Sequence, residues 1–248
     1  MAELYDDIGV GYRDRRRPDP RVAAAITRAL EGADSVVNVG AGAGSYEPAD
    51  RFVVAVEPAM TMIRQRRAGS APVVQAVAAD LPFYDNGFAA ALAILTIHHW
   101  PDRARGLDEL GRVARRRVVV VTWDPSISGF WLADDYFPEI FEIDRKIFPT
   151  IEDYRHALGR IDVRPMLVPH DCVDGFMGAY WRRPHAYLDA GVRSAISTFA
   201  KMTPRDLEAG LKRLRRDLED GTWARRYGHL LDRSEIDLGY RIVVAAKL

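Results

Sequence analysis

Valine-rich runs without polar alternation recur along the first half of the chain: Val36-Val37-Asn38-Val39, Phe52 to Val56, Val73 to Ala78, Ala89 to Ile97 and Val118 to Val121. Continuous apolar runs mark strands buried on both faces, as in a parallel sheet. Between them lie stretches with apolar residues three and four apart. Asp19-Pro20 opens a helix that runs to about Leu30, with an acid at the cap, proline in the first turn and Val22, Ile26 and Leu30 in line. Met60 to Arg67 is a second candidate, and Arg103 to Arg115, with Leu107, Leu110 and Val113 on one face, is a third. Strands alternating with helices predict a doubly wound α/β fold.

The pattern changes after Trp123. Phe130, Trp131, Tyr136, Phe137, Phe141 and Phe148 crowd the next segment, and a weak strand is expected near Ile161 to Val168. A mainly helical stretch from about Phe176 to Leu231 has breaks at Pro184 and Pro204, and Tyr240 to Ala245 reads as a closing strand. The expected architecture is one domain over 1–248 with a mostly parallel, seven-stranded sheet. Aromatic-rich, helical cap segments are expected at about 125–160 and 171–235 over the strand ends, with Phe130, Trp131, Tyr180 and Trp181 expected to close over the molecule bound there.

Composition narrows the partners. With 48% hydrophobic residues and 35 basic against 35 acidic side chains, the chain is neither disordered nor charged for nucleic acid or an anionic membrane. Only four of the basic residues are lysine, and clusters such as Arg15-Arg16-Arg17 are matched by acids elsewhere, so they read as solvated arginine. The single cysteine, Cys172, forms neither an intramolecular disulfide nor a cysteine zinc site. The acidic N-terminus is not a secretory signal and no apolar run reaches membrane-spanning length, so the expected location is cytoplasmic. No metal site is expected, because the histidines lack ligand spacing.

Four sets of residues carry chemistry. Gly40-Ala41-Gly42-Ala43-Gly44 ends the first strand and lets backbone approach a ligand where a side chain would collide. Glu57 ends the second, 17 positions after Gly40, where a carboxylate can accept from both ribose hydroxyls of an adenosine. Asp80, in Ala79-Asp80-Leu81-Pro82-Phe83, can accept from an adenine amino group. Leu95-Thr96-Ile97-His98-His99-Trp100-Pro101-Asp102 leaves the fourth strand. Parallel strands put all four sets at one sheet edge, where open α/β folds bind ligands.

This ordered set resembles the class I methyltransferases that use S-adenosylmethionine, and in particular the small-molecule subgroup related to the ubiquinone-biosynthesis enzymes. The resemblance covers about residues 1–124 and the closing strand. It implies that Gly40, Ala41 and Gly42 lie against the methionine part of the cofactor and that Glu57 holds the ribose. Pro58 and Met62 would flank the adenine, with Asp80 and Leu81 at its polar edge, and Leu95 and Thr96 would line the pocket beneath the sulfonium. Tyr12 and Arg17, in a Tyr…Arg-Pro segment of the N-terminal arm, would reach the methionyl carboxylate. The implied reaction is methyl transfer to a small, partly apolar metabolite.

Two departures stand out. Asn38 replaces the usual first-strand acid, so a carbonyl takes over any contact to the cofactor ammonium. Only eight residues, Ser45 to Phe52, separate Gly44 from Val53, too few for a full crossover helix and its dipole. Two other readings stay open. A nicotinamide-dependent oxidoreductase also fits a glycine turn followed by an acid, although Ser45 stands where the third glycine belongs and no Tyr-x-x-x-Lys pair occurs. A non-catalytic binding protein fits the two departures. His98 and His99 are the candidate bases: neighbours in extended chain point opposite ways, and His99 is favoured, at the pocket mouth. No Gly-x-Ser-x-Gly elbow surrounds Ser126 or Ser128.

Overall fold

A computed structural model describes residues 16–247. The first five strands are parallel: β1 (Ser35–Val39), β2 (Phe52–Val56), β3 (Val73–Val74), β4 (Phe88–Ile94) and β5 (Ala114–Trp123). They are followed by β6 (Ile161–Pro165), by β7 (Val168–Pro169) and β8 (Glu235–Ile236), which pair apart from the main sheet, and by β9 (Tyr240–Ala246). The seven-stranded order is β3-β2-β1-β4-β5-β9-β6, with β9 antiparallel to both neighbours. The order reverses between β1 and β4, which opens a crevice at their carboxyl ends.

Alternate residues of the central strands feed two cores. Ala90, Leu92, Val119 and Val121 pack with Val22, Ile26 and Leu30 of α1 (Pro20–Ala29) and its end. Ala91, Ala93, Val118 and Val120 pack on the other face. After α2 (Met60–Ile63), the helix α3 (Arg103–Val113) covers that face with Leu107, Leu110 and Val113. The alanines of β4 are fully buried, so small side chains there bring the helical layers close to the sheet.

Three expected elements are shorter than their apolar runs. The run from Val73 gives two residues of strand, because this edge strand turns away to form a cavity wall at Ala76 to Ala79. α2 is a single turn and stops before Arg67, since Arg66 turns inward to bond backbone carbonyls. β4 ends at Ile94, where Leu95 takes a left-handed conformation (φ 48°) and a 3₁₀ turn begins at Ile97. As the short spacing requires, no helix joins β1 to β2.

The cap contains α4 (Glu139–Ile147), α5 (Ile151–Leu158), α6 (Ala190–Ser194), α7 (Ser197–Ala200), α8 (Pro204–Glu219) and α9 (Thr222–Tyr227). Within the expected 125–160 segment, α5 joins α3: its Tyr154 is buried in the core of that sheet face and donates to Thr122 Oγ1 at 3.0 Å. Trp131 is the hub of the remaining cap. It meets Tyr136, Tyr187 and Trp223 edge-on at 5.4–5.7 Å and donates its indole N–H to the Trp181 carbonyl at 2.8 Å. No helix among the described residues is long and apolar enough to cross a membrane.

Candidate functional site

The glycine turn is held from three sides. Gly40 (φ 71°) and Ala41 donate to the Val56 carbonyl at 2.8 and 3.0 Å, which ties the end of β1 to the end of β2. A Cβ at Gly40 would overlap the Thr96 hydroxyl, so glycine is required there by close approach as well as by conformation. Gly42 (φ 53°) donates to one oxygen of Glu57 at 2.8 Å, while Ala59 donates to the other at 3.0 Å. Glu57 is buried, and loss of water raises its pKa while the two N–H groups pull the other way.

Arg66 stands where a crossover helix would support the turn. Its buried guanidinium donates to the carbonyls of Gly42 (3.2 Å) and Ala71 (3.0 Å) and pairs with Glu47 at 2.6 Å. A second network joins the arm, the loop and the cap. Tyr46 donates to buried Asp174 at 2.8 Å and accepts from the Asp19 N–H at 3.2 Å, and Arg16 donates to Asp174 at 2.7 Å. Asp19 also caps α1, and its bonds from Arg21 hold its pKa down to about 2. Single-letter patterns give no signal for these long-range pairs.

A cavity of about 430 Å³ opens at the ends of β1, β2 and β4. Asn38, Gly40, Ala41 and Gly42 form one wall; Glu57, Pro58 and Met62 form a second; Leu95, Thr96 and His99 form the floor. The Asn38 amide oxygen is buried in this wall with no partner among the described atoms. Two expected residues are elsewhere. Asp80 is exposed and does not line the cavity; Leu81 is buried and its N–H is committed to Glu109 at 2.8 Å. The third wall is instead Ala76 to Ala79, with Asp102 beyond. Tyr12 lies outside the described residues. Arg17 is exposed and lines an outer cavity with Gly44, Arg67 and Ser70, whereas its neighbour Arg16 borders the main cavity.

A side cavity of about 60 Å³ adjoins the first, sharing Arg16, Leu95 and His99 with it. Trp123, Phe148, Phe176 and Tyr240 supply aromatic walls. His98 and His99 both face this cavity, their ring centroids 3.8 Å apart, which corrects the expectation of opposite directions: they sit on a 3₁₀ turn, not on extended chain. His98 stacks on Phe148 at 4.0 Å, and His99 is buried instead of standing at a mouth. Burial lowers both imidazoles, His98 strongly and His99 to about 3, so both are neutral at physiological pH. Phe130, Trp131 and Trp181 belong to the cap core and Tyr180 packs against it, so none of these four lines either cavity.

The sequence gives no sign of Asp144. It comes from α4, is buried in the side-cavity wall, and accepts from Thr198 Oγ1 at 3.1 Å. Desolvation pushes its pKa up to about 7, against the opposing effects of Thr198 and Lys201. No cluster of three or more His, Cys, Asp or Glu among the described residues could hold a metal ion.

The chain matches the family described as "Methyltransferase domain" over residues 37–122. A solved structure from Anabaena variabilis ATCC 29413, assigned as a methyltransferase of an antibiotic biosynthesis pathway, is 33% identical. It covers 94% of this chain and 99% of its own, with a TM-score of 0.82. A Thermotoga maritima S-adenosylmethionine-dependent methyltransferase, described as a possible histamine N-methyltransferase, shares the fold at 15% identity, full coverage of both chains and a TM-score of 0.60. The YcgJ protein of Bacillus subtilis also shares it, at 15% identity and a TM-score of 0.54, covering 91% of this chain and 97% of its own.

Proposed function

This chain belongs to the methyltransferase-domain family and is an S-adenosylmethionine-dependent methyltransferase; from that premise we propose that it methylates a small, partly apolar molecule whose reacting end enters the side cavity while the cofactor fills the larger one. The observation that carries this reading is the meeting of the two cavities across Leu95 and His99. A nucleoside-sized space thereby shares its floor with a space the size of one functional group.

The residues present fit the cofactor. The Asn38 oxygen, which has no partner among the described residues, offers an acceptor to an ammonium group, and the turn from Gly40 to Gly42 borders the cavity beside it. Each Glu57 oxygen holds one backbone N–H and keeps lone-pair capacity for the ribose hydroxyls. Pro58 and Met62 flank the adenine, against Ala76 to Ala79 on the other side. The adenine edge is assigned to that wall; exposed Asp80 does not line the cavity, and the Leu81 N–H is committed to Glu109. Arg16 takes the place expected of Arg17 toward the methionyl carboxylate, because it borders the cavity and is aimed by Asp174. Arg17 acts from outside that wall, at the outer cavity it lines with Gly44. Kinship to the ubiquinone-biosynthesis enzymes is part of this proposal, supported by the ordered motif set and the Tyr…Arg-Pro arm segment.

When bound, the cofactor supplies a methyl group that a sulfonium already activates. The protein's tasks are alignment and exclusion of water. Leu95 and Thr96 support the junction, and the buried ring of Trp123 and the half-buried ring of Phe148 keep the acceptor space dry. His98 and His99 act there as neutral imidazoles that shape the wall and offer hydrogen bonds. Imidazoles with depressed pKa values are weak bases, so neither is assigned proton abstraction.

Calorimetric titration with S-adenosylhomocysteine tests the reading. One site per chain is expected, lost or weakened in Glu57→Ala; binding of a nicotinamide dinucleotide in its place would overturn it.

A further inference from the structure

The side cavity contains more than a cofactor pocket needs. Asp144 is buried, and one hydroxyl, that of Thr198, lies 3.1 Å from each of its oxygens. A single O–H occupies one of about four acceptor positions on a carboxylate. The same cavity carries the rings of Trp123, Phe148, Phe176 and Tyr240 in its walls. A buried carboxylate in a cavity with aromatic walls suits an amine, through a charge-assisted hydrogen bond and the attraction of the rings for a cation. The volume, about 60 Å³, equals that of about two waters. It has room for an aminomethyl head.

We propose that the side cavity binds the amine head of the acceptor, and that Asp144 both holds this head and takes its proton. The proposal rests on the cofactor reading above, because the amine must meet a methyl group in the adjoining cavity. An ammonium gives one proton to the Asp144 carboxylate, which frees the nitrogen lone pair. That pair forms the new N–C bond to the methyl group as the cofactor's C–S bond breaks and its electrons stay on sulfur. The proton then leaves from Asp144 to solvent. One residue thereby recognises the charged form and releases the nucleophilic one.

The groups around Asp144 permit this. Lys201, at the end of α7, lowers its pKa modestly and is itself lowered by burial. His98 and His99 from the turn after β4, Arg16 from the arm and Tyr240 from β9 face the same cavity. The imidazoles stay neutral near pH 7, and Arg16 is paired with Asp174 at 2.7 Å. On the turn before α4, Asp134 accepts from the Gly129 N–H at 2.9 Å and Asp135 pairs with Arg226 at 2.7 Å. Burial holds the empty carboxylate near pKa 7, so amine binding strengthens as pH rises through about 7 and fades when the amine itself deprotonates.

The test uses the full chain saturated with S-adenosylhomocysteine and two probes of one shape, benzylamine and benzyl alcohol, titrated by calorimetry or ligand-observed NMR. Benzylamine is expected to bind at least about tenfold more tightly than the alcohol, a difference of about 1.4 kcal/mol. Asp144→Asn should erase that preference while leaving S-adenosylhomocysteine affinity unchanged. In Thr198→Val, which keeps the carboxylate but removes its donor, the pH midpoint for benzylamine should move up; if Asp144→Asn does not fold, an unmoved midpoint overturns the proposal. Equal binding of the two probes, no binding of benzylamine, or a preference that survives in Asp144→Asn also overturns it and leaves the cofactor reading standing. Failure to bind S-adenosylhomocysteine at all removes both.

Discussion

The Glu57 carboxylate accepts the N–H groups of Gly42 and Ala59, one on each oxygen, and so fixes the loops after β1 and β2 before any ligand arrives. Replacing it with alanine removes charge-assisted hydrogen bonds to the ribose, a loss of about 1.5–3 kcal/mol in all. Glu57→Ala should therefore lower S-adenosylhomocysteine affinity by about 10–100-fold, measured by calorimetry. Unchanged affinity would show that the ribose is held elsewhere. Asn38 predicts effects of opposite sign. Its buried amide oxygen has no partner among the described residues, and an unpartnered group of this kind costs about 1–3 kcal/mol. Asn38→Leu should raise the thermal midpoint of the free protein while weakening S-adenosylhomocysteine binding; a lowered midpoint would mean that the oxygen is satisfied in the free state. Glu57 was legible in the sequence because it ends an apolar run, and Asn38 because it interrupts one. Asp144 was not, since nothing in the helical pattern of Glu139–Ile147 distinguishes it from a solvated acid; only the packing of α7 against α4 buries it.

At the scale of elements, the connection from β1 to β2 is held by Arg66 in place of a helix. The guanidinium is buried and binds two carbonyls and Glu47. Truncating one member of a buried ion pair leaves the other uncompensated, at about 3–5 kcal/mol. Arg66→Met should lose stability on that scale by urea denaturation, and Arg66→Lys should not restore it, because one ammonium cannot reproduce the planar fork. A loss below about 1 kcal/mol would mean that the pair behaves as an exposed one. The strands and α1 and α3 followed from hydrophobic periodicity, which records what each element buries. The direction of His98 and His99 did not follow, because it depends on a 3₁₀ turn set by the left-handed Leu95, a residue whose sequence gives no reason to expect it. The cap aromatics were visible as a cluster, but composition cannot separate rings that line a cavity from rings that fill a core around Trp131.

For the whole molecule, burial of titratable groups couples stability to pH in two opposing ways. His98 and His99 have lowered pKa values in the folded state, so the unfolded chain binds more protons between about pH 6.5 and the folded values, and stability falls as pH falls through that window. Asp144 is raised from 3.8 to about 7, so the folded chain binds more protons there and its contribution falls as pH rises. Each group contributes a slope of up to about 1.4 kcal/mol per pH unit. Two histidines outweigh one aspartate, so urea stability should rise from pH 5 to pH 7, and more steeply in Asp144→Asn than in the wild type; equal slopes would mean that Asp144 titrates normally. The joined cavities make a larger claim, that a small molecule receives the methyl group. Incubation with S-adenosylmethionine labelled in its methyl group and a cell extract, followed by separation of small molecules from protein and nucleic acid, tests it most directly. Label should appear in a small-molecule product; label confined to the macromolecular fractions would contradict the account.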